Sequence, residues 1–203
     1  MRLGIFGGTF DPPHIAHLIL AQEAQLQLKL DRVLWVLTPA PPHKSGQRIT
    51  PLEDRLALLQ AALQDTPAFE LSRVDIDRLP PHFSADTLRL LRQRYPADRL
   101  IYLMGTDSLF DLHNWHQPDQ FVRSCDEIGI MPRPGWAIDD TIMKEIDNSF
   151  PGLGARLRLL KAAPMDIASS VIRQRIRSGQ PYRYFLTDAV YHLIQARGLY
   201  LQR

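Results

Sequence analysis

The chain opens on a short apolar run, RLGIF (Arg2 to Phe6), that stops at Gly7-Gly8. Branched and aromatic residues in so short a run read as a buried strand closed by a glycine turn. From Ile15 the repeat changes. Ile15, Leu18, Ile19, Gln22, Leu26 and Leu30 recur at helical spacing, on or near one face. A second apolar run, Val33 to Leu37, follows. Strand, helix and strand at this spacing make a βαβ unit with parallel strands. The theme then repeats. Leu52 to Leu63 reads as a helix with Pro51 in its first turn and Thr50 as cap. Phe69 to Val74 reads as a strand, Leu79 to Phe83 as a loop, and Ser84 to Tyr95 as a helix capped by Ser84 with Thr87. Leu100 to Met104, Glu127 to Met131 and Leu157 to Leu160 read as further buried strands, and Ser170 to Arg177 and Thr187 to Gln195 as closing helices. Residues 136–155 carry the weakest pattern, compatible with a surface helix and loop. The expectation is an α/β doubly wound parallel sheet. It would form one domain over residues 1–203, with a C-terminal helical portion from about residue 165.

Composition narrows the class. The 203 residues are 45% hydrophobic and 23% charged, which excludes a disordered or collagen-like chain. A chain of this size needs neither disulfide nor metal to fold. Its single cysteine, Cys125, excludes an intrachain disulfide and a cysteine zinc cluster. A net charge of +2 speaks against a broad nucleic-acid surface. The apolar runs fall far short of the ~20 residues that span a bilayer. The start, MRLGIFGGTFDPP, has no long apolar stretch and no small-residue cleavage site. A cytoplasmic protein with no membrane and no nucleic-acid partner is expected.

Chemistry concentrates in four segments. In GGTFDPPHIAH (Gly7 to His17) the glycines uncover backbone N–H groups, and the helix start that follows adds its positive end. His14 and His17 lie three apart near that start and share a face. The direct reading is an anion site flanked by two imidazoles. The glycine spacing is neither a dinucleotide fingerprint nor a Walker loop. A metal site from Asp11, His14 and His17, as in a metal-dependent hydrolase, is the rival. In the proline-rich loop of residues 39–49, Lys44 is either a solvated lysine or a phosphate contact at a strand's carboxyl end. In MGTDSLFDLHNWH (Met104 to His116), Asp107 is a helix cap or an acceptor for a ribose hydroxyl, and Trp115 a core residue or a stacking surface for a flat ring. In DIASSVIRQRIRSG (Asp166 to Gly179), Ser169 and Ser170 are natural caps. Ser170 and Arg173 could face phosphate there, or the helix is simply basic and amphipathic. Residues 156–183 hold seven basic side chains against one acid, Asp166, a local excess suited to polyphosphate or RNA. The helix carries no stacking aromatics, which disfavours RNA.

These segments resemble a known family. GGTFDPPHIAH resembles the (T/S)-F-D-P-x-H-x-G-H signature of nucleotidyltransferases, and ASSVIRQRI their I-S-S-T-x-I-R signature. PPHK, SADTLRLL, MGTDSLFDLHNW, IMPRPG and YFLTDAVYHLIQARGLY resemble, in order, segments of bacterial nicotinate-nucleotide adenylyltransferases. The resemblance covers nearly the whole chain. It implies a Rossmann-like fold that joins ATP to nicotinate mononucleotide with Mg²⁺ held mainly by substrate phosphates. Carried over residue by residue, it implies that Gly8, Thr9, His14, His17, Ser170 and Arg173 hold the ATP phosphates, with Lys44 nearby. Gly105 and Asp107 would contact the adenosine part. Ser84, Ala85, Trp115 and His116 would receive the nicotinate ring and carboxylate, and Arg133 would border the nucleotide. His14, His17, Lys44 and Arg173 would form the catalytic set. The chain departs from the pattern at Ala16, Ala168, Ser170, Ser84 and His116. A phosphopantetheine adenylyltransferase shares only part of the pattern. Preference for the amide mononucleotide, or a nucleotide-sensing module without catalysis, are further alternatives. The expected assembly is a monomer or small homo-oligomer.

Overall fold

The computed structural model describes residues 1–41, 46, 48–132, 135, 138–163 and 165–201. Among these residues, six parallel strands make one sheet in the order β3-β2-β1-β4-β5-β6. The strands are β1 (Arg2–Gly8), β2 (Arg32–Leu37), β3 (Phe69–Ser72), β4 (Arg99–Gly105), β5 (Glu127–Met131) and β6 (Leu157–Leu159). The helices are α1 (Ile15–Gln27), α2 (Leu52–Leu63), α3 (Ser84–Arg94), α4 (Thr106–Phe110), α5 (Pro118–Ser124), α6 (Asp140–Ser149), α7 (Ser169–Arg177) and α8 (Asp188–Arg197).

Strand alternation sends side chains to two cores. Leu3, Ile5, Leu34, Val36, Leu100 and Tyr102 face α3 and α5, where Leu88, Leu91 and Phe121 meet them. Phe6, Val33, Trp35, Leu37, Ile101 and Leu103 face the opposite side, against Ala21 and Ala24 of α1 and Leu59 of α2. Burial on both faces explains why the strands read as continuous apolar runs. The C-terminal helices form a third cluster. Ile172 and Ile176 of α7 and Val190 and Ile194 of α8 pack on Leu58 and Ala62 of α2. The tail therefore reaches the sheet through α2.

The chain winds outward from β1 to β3, returns to lay β4 beside β1, and winds outward the other way. The crevice at the carboxyl ends of β1 and β4 is thus the switch point, where open α/β sheets bind ligands.

Local details differ from the sequence reading. Strand β1 ends at Gly8, but Gly7 and Gly8 do not form the turn themselves; both stay in the ladder, opposite Val36 and Leu37. The turn comes later, at Phe10, with φ 46°. The N-caps also move by one residue. The extended residue before α3 is Phe83, before α2 it is Pro51, and before α7 it is Ala168. Ser84, Thr50 and Ser169 bond elsewhere: Ser84 to Tyr102, the Thr50 N–H to Asp11, and Ser169 to the Pro12 carbonyl. Residues 140–149 are helical, and α4 and α5 add two short helices that the sequence reading lacked.

Candidate active site

The loop from β1 to α1 is built on aromatic rings. A Cβ on Gly8 would lie 2.8 Å from Phe10 Cζ, so glycine there admits the Phe10 ring. Phe10 is buried, and with Phe6 it meets the His17 ring edge-on, at centroid distances of 5.2 and 6.0 Å. His14 is the N-cap of α1 and is buried. Its ring stacks on His17 at 3.6 Å and 21°. The His14 backbone N–H donates to His17 Nδ1 at 3.2 Å. That bond makes Nδ1 the acceptor, so the neutral His17 ring carries its proton on Nε2 and offers it as a donor. Two imidazoles thus sit at the positive end of a helix, one with a fixed tautomer.

A buried arginine holds this loop to its neighbours. Arg55, in the first turns of α2, donates to the carbonyls of Thr9 at 3.1 Å, Thr38 at 2.9 Å, Pro39 at 2.7 Å and Thr50 at 2.9 Å. The β1–α1 loop and the loop after β2 therefore share one guanidinium. Burial lowers its pKa, opposed by the nearby Asp11 and Tyr200. The sequence did hold a signal for this residue. Arg55, Leu58, Leu59 and Ala62 share one helical stripe, and a lone charge in an apolar stripe must be paired when buried.

Asp11 is a hub of hydrogen bonds. Its Oδ1 accepts from the Tyr200 hydroxyl at 2.9 Å and its Oδ2 from the Thr50 N–H at 3.3 Å. Both carboxylate oxygens thus take protein donors, and among the described residues no group of three or more histidine, cysteine or acidic side chains is arranged to hold a metal. The Asp11 carbonyl accepts from Arg173 Nη1 at 2.6 Å, and the Pro12 carbonyl accepts from Ser169 Oγ at 2.8 Å. These two bonds bring the first turns of α7 beside the entry to α1. Ala168, the N-cap of α7, makes no side-chain cap bond. Ser170 is exposed in that first turn, and Arg173 is half-buried one turn on.

The other flank of the crevice carries the remaining candidates. Gly105 ends β4 and is the N-cap of α4, with no side-chain cap bond. Asp107 is the second residue of α4, so it is not the cap that one reading made it. Ser84 opens α3, and its hydroxyl lies 3.1 Å from the Tyr102 hydroxyl. The Ala85 side chain is buried beneath the same helix start, leaving its backbone N–H in the first turn. Trp115 is half-buried, edge-on to Phe121 at 5.0 Å and to Tyr102 at 6.3 Å. The exposed His116 ring stacks on Phe83 at 4.0 Å. Lys44 and Arg133 lie outside the described residues. Beneath Ser84 runs a polar network that the sequence reading missed. Buried Asp75 accepts from Thr87 Oγ1 at 2.8 Å and from Arg78 Nε at 2.9 Å. Its members sit three and twelve residues apart, and only the Asp75–Arg78 spacing hints at a pair.

The Cytidylyltransferase-like family model matches residues 5–175. A probable nicotinate-nucleotide adenylyltransferase of Thermomicrobium roseum is 43% identical over 199 residues, covering 98% of this chain and 91% of the relative. The chain belongs to the nicotinate-nucleotide adenylyltransferase family. Within that family, the nicotinate-nucleotide adenylyltransferase of Bacillus subtilis is 34% identical, with 98% of each chain covered. The fold matches the Plasmodium falciparum nicotinic acid mononucleotide adenylyltransferase complexed with NaAD at a TM-score of 0.80 and 18% identity, over 98% of this chain and 97% of that one. Membership places the β1–β4 crevice, with its two helix starts, in the family's nucleotidyltransferase fold. Among the described residues, no helix is long and apolar enough to cross a membrane.

Proposed function

We infer that this chain transfers the adenylyl group of ATP to nicotinate mononucleotide, giving nicotinate adenine dinucleotide and pyrophosphate. It would work as a single nucleotidyltransferase domain. The observation that carries the reading is the convergence of the His14–His17 stack, the α1 start and the α7 start at the switch point. End-to-end relatedness to adenylyltransferases of this specificity supports the substrates.

The mononucleotide's phosphate is its own nucleophile. Its second pKa is about 6, so it is largely dianionic at pH 7 and needs no strong base. It attacks the α-phosphorus of ATP in line; the new P–O bond forms as the bond to pyrophosphate breaks. The protein's part is to align two anions and to neutralise the charge that builds between them. His17 Nε2–H, His14, Ser170, Arg173 and the N–H groups at the two helix starts would hold the ATP phosphates. Gly8 and Thr9 would border them, and Lys44 would contact phosphate nearby. Gly105 and Asp107 would face the adenosine. Trp115 would pack against the pyridine ring, backbone groups at Ser84, Ala85 and His116 would receive its carboxylate, and Arg133 would lie near the nucleotide. Mg²⁺ suits this donor set as an ion carried mainly on phosphate oxygens, because the described carboxylates of the crevice form no cluster of three or more metal-type side chains. When bound, it supplies further charge neutralisation on the polyphosphate.

Turnover with ATP, Mg²⁺ and each mononucleotide tests the assignment. Equal amounts of nicotinate adenine dinucleotide and pyrophosphate are expected. An all-donor pocket should also favour the acid over the amide by about 100-fold in kcat/KM, since an amide NH₂ would face another donor. No turnover with either would refute the function. A ratio within about threefold of unity would refute an acid-specific pocket built on unmet donors.

A further inference from the structure

Tyr102 is the one hydroxyl-bearing residue among the core-facing positions of β4, and its oxygen reaches the carboxyl edge of the sheet. It lies 3.1 Å from Ser84 Oγ, at the start of α3. A Cβ added to Gly7 would lie 3.1 Å from the same oxygen, so the phenol occupies space that only glycine leaves open. The ring is fixed on its other sides by Phe121, edge-on at 4.8 Å, and by Trp115 at 6.3 Å. Tyr102 therefore touches the side chains of two residues assigned above to the acceptor, Trp115 to its ring and Ser84 to its carboxylate. The hydroxyl borders a partly open polar space of about 20 Å³, room for about one water, shared with Thr38, Asp75 and His82.

We propose that Tyr102 is a positioning residue of the acceptor site, donating its phenolic proton to Ser84 Oγ so that the Ser84 hydroxyl donates to the nicotinate carboxylate. The direction follows from the two oxygens. A phenol's lone pairs are drawn into its ring, which makes it the better donor, while an alkyl hydroxyl is the better acceptor. Burial pushes the Tyr102 pKa up to about 12, so the proton stays on the phenol at neutral pH. With one lone pair of Ser84 Oγ engaged by Tyr102, its own O–H turns outward beside the N–H groups of the first turn of α3. Every group facing the acceptor's substituent is then a donor. A carboxylate satisfies all of them, whereas an amide NH₂ meets one head-on. Without the phenol, Ser84 is free to rotate and present a lone pair to that NH₂. Tyr102 thus sets acid-over-amide preference without touching the substrate. The proposal rests on Ser84 lying in the acceptor site.

The test uses the whole enzyme with ATP and Mg²⁺, and compares Tyr102→Phe, Ser84→Ala and the double variant on both mononucleotides. Losing one donor to a charged group should raise the KM for nicotinate mononucleotide roughly tenfold in either single variant. The kcat and the KM for ATP should stay nearly unchanged, and the acid-to-amide ratio of kcat/KM should fall by a similar factor. The double variant should be no worse than Ser84→Ala alone, because both changes remove one relay. A melting temperature near wild type for Tyr102→Phe excludes a folding defect. If Ser84→Ala raises KM and Tyr102→Phe does not, the relay is refuted and the acceptor site stands. If the two effects multiply, the hydroxyls act separately and the relay is refuted. If neither variant moves KM, the placement of Ser84 falls and the relay with it.

Discussion

Two sets of arginines, one at each end of the sheet, are used in different ways. At the amino ends of the strands, arginines pair with carboxylates. Arg2 of β1, Arg99 of β4 and Arg158 of β6 surround Glu127, the first residue of β5, at 3.3, 2.9 and 3.1 Å. Arg92 pairs with Asp126 at 2.6 Å, and the N-terminal amine pairs with Asp98. At the carboxyl ends Arg78 pairs with Asp75, but Arg55 and Arg173 donate to main-chain carbonyls. A carboxylate partner cancels a cation's charge, whereas a carbonyl satisfies its N–H groups and leaves its charge to act. The amino end is built for stability. In the proposed reading, the positive charge of Arg55 and Arg173 and two helix starts at the carboxyl end would favour an incoming anion.

Removing the carbonyl clamp should cost most. Arg55→Met leaves four half-buried carbonyl acceptors without this donor. At ~1 kcal/mol for each, the loss is about 4 kcal/mol, or roughly 10 °C in Tm for a chain this size. Arg55→Lys should recover little, because one ammonium cannot reach four carbonyls in a fixed fork. Thermal melting of both variants checks this, and a Tm within about 2 °C of wild type for Arg55→Met would contradict the clamp.

Arg173→Ala should come next, through function rather than fold. Losing a charge-assisted contact to phosphate is worth about 1.5–3 kcal/mol, seen as a rise of tenfold or more in the KM for ATP or a matching fall in kcat. Unchanged ATP kinetics in a folded variant would leave α7 merely a basic helix.

At the opposite end, Glu127→Gln should lower Tm and spare kcat/KM. Burial raises the Glu127 pKa, but the Arg2 hydrogen bond and the charges of Arg2, Arg158 and Arg99 outweigh it, and the carboxyl titrates below its ordinary 4.5. A depressed carboxylate stabilises the fold above its unfolded pKa, and that stability is lost as pH falls through and below 4.5. Melting curves from pH 7 down to about 3 should show a shallower acid limb in Glu127→Gln than in wild type. Parallel limbs would mean the cluster does not act as read.

The smallest effect belongs to Ala168. Serine at this N-cap should add about 1 kcal/mol, or roughly 2–4 °C in Tm. An unchanged Tm would show that α7 gains nothing from a cap.

What the sequence revealed follows from where partners lie. The strands were legible because burial on both faces leaves unbroken apolar runs such as Val33 to Leu37. The His14–His17 pair was legible because its members are three residues apart on one helix start. The Arg55 clamp reaches Thr9, 46 residues away, and the Tyr200–Asp11 bond spans 189 residues. No local periodicity records contacts at that range. Caps were misplaced by one residue for a related reason: Ser84 and Ser169 are cap-type residues drawn into tertiary bonds, so tertiary partners overrode local preference. Helices α4 and α5 are five and seven residues long, too short for a repeat to register.

The most direct test of the central claim is the kcat of His17→Ala with ATP and nicotinate mononucleotide, read beside its Tm. A donor fixed at the positive end of α1 and aimed at the polyphosphate is worth about 2.7–4 kcal/mol in the transition state, a 10²–10³-fold fall in kcat with Tm little changed. A fall of less than about fivefold in the folded variant would contradict an assigned transition-state donor.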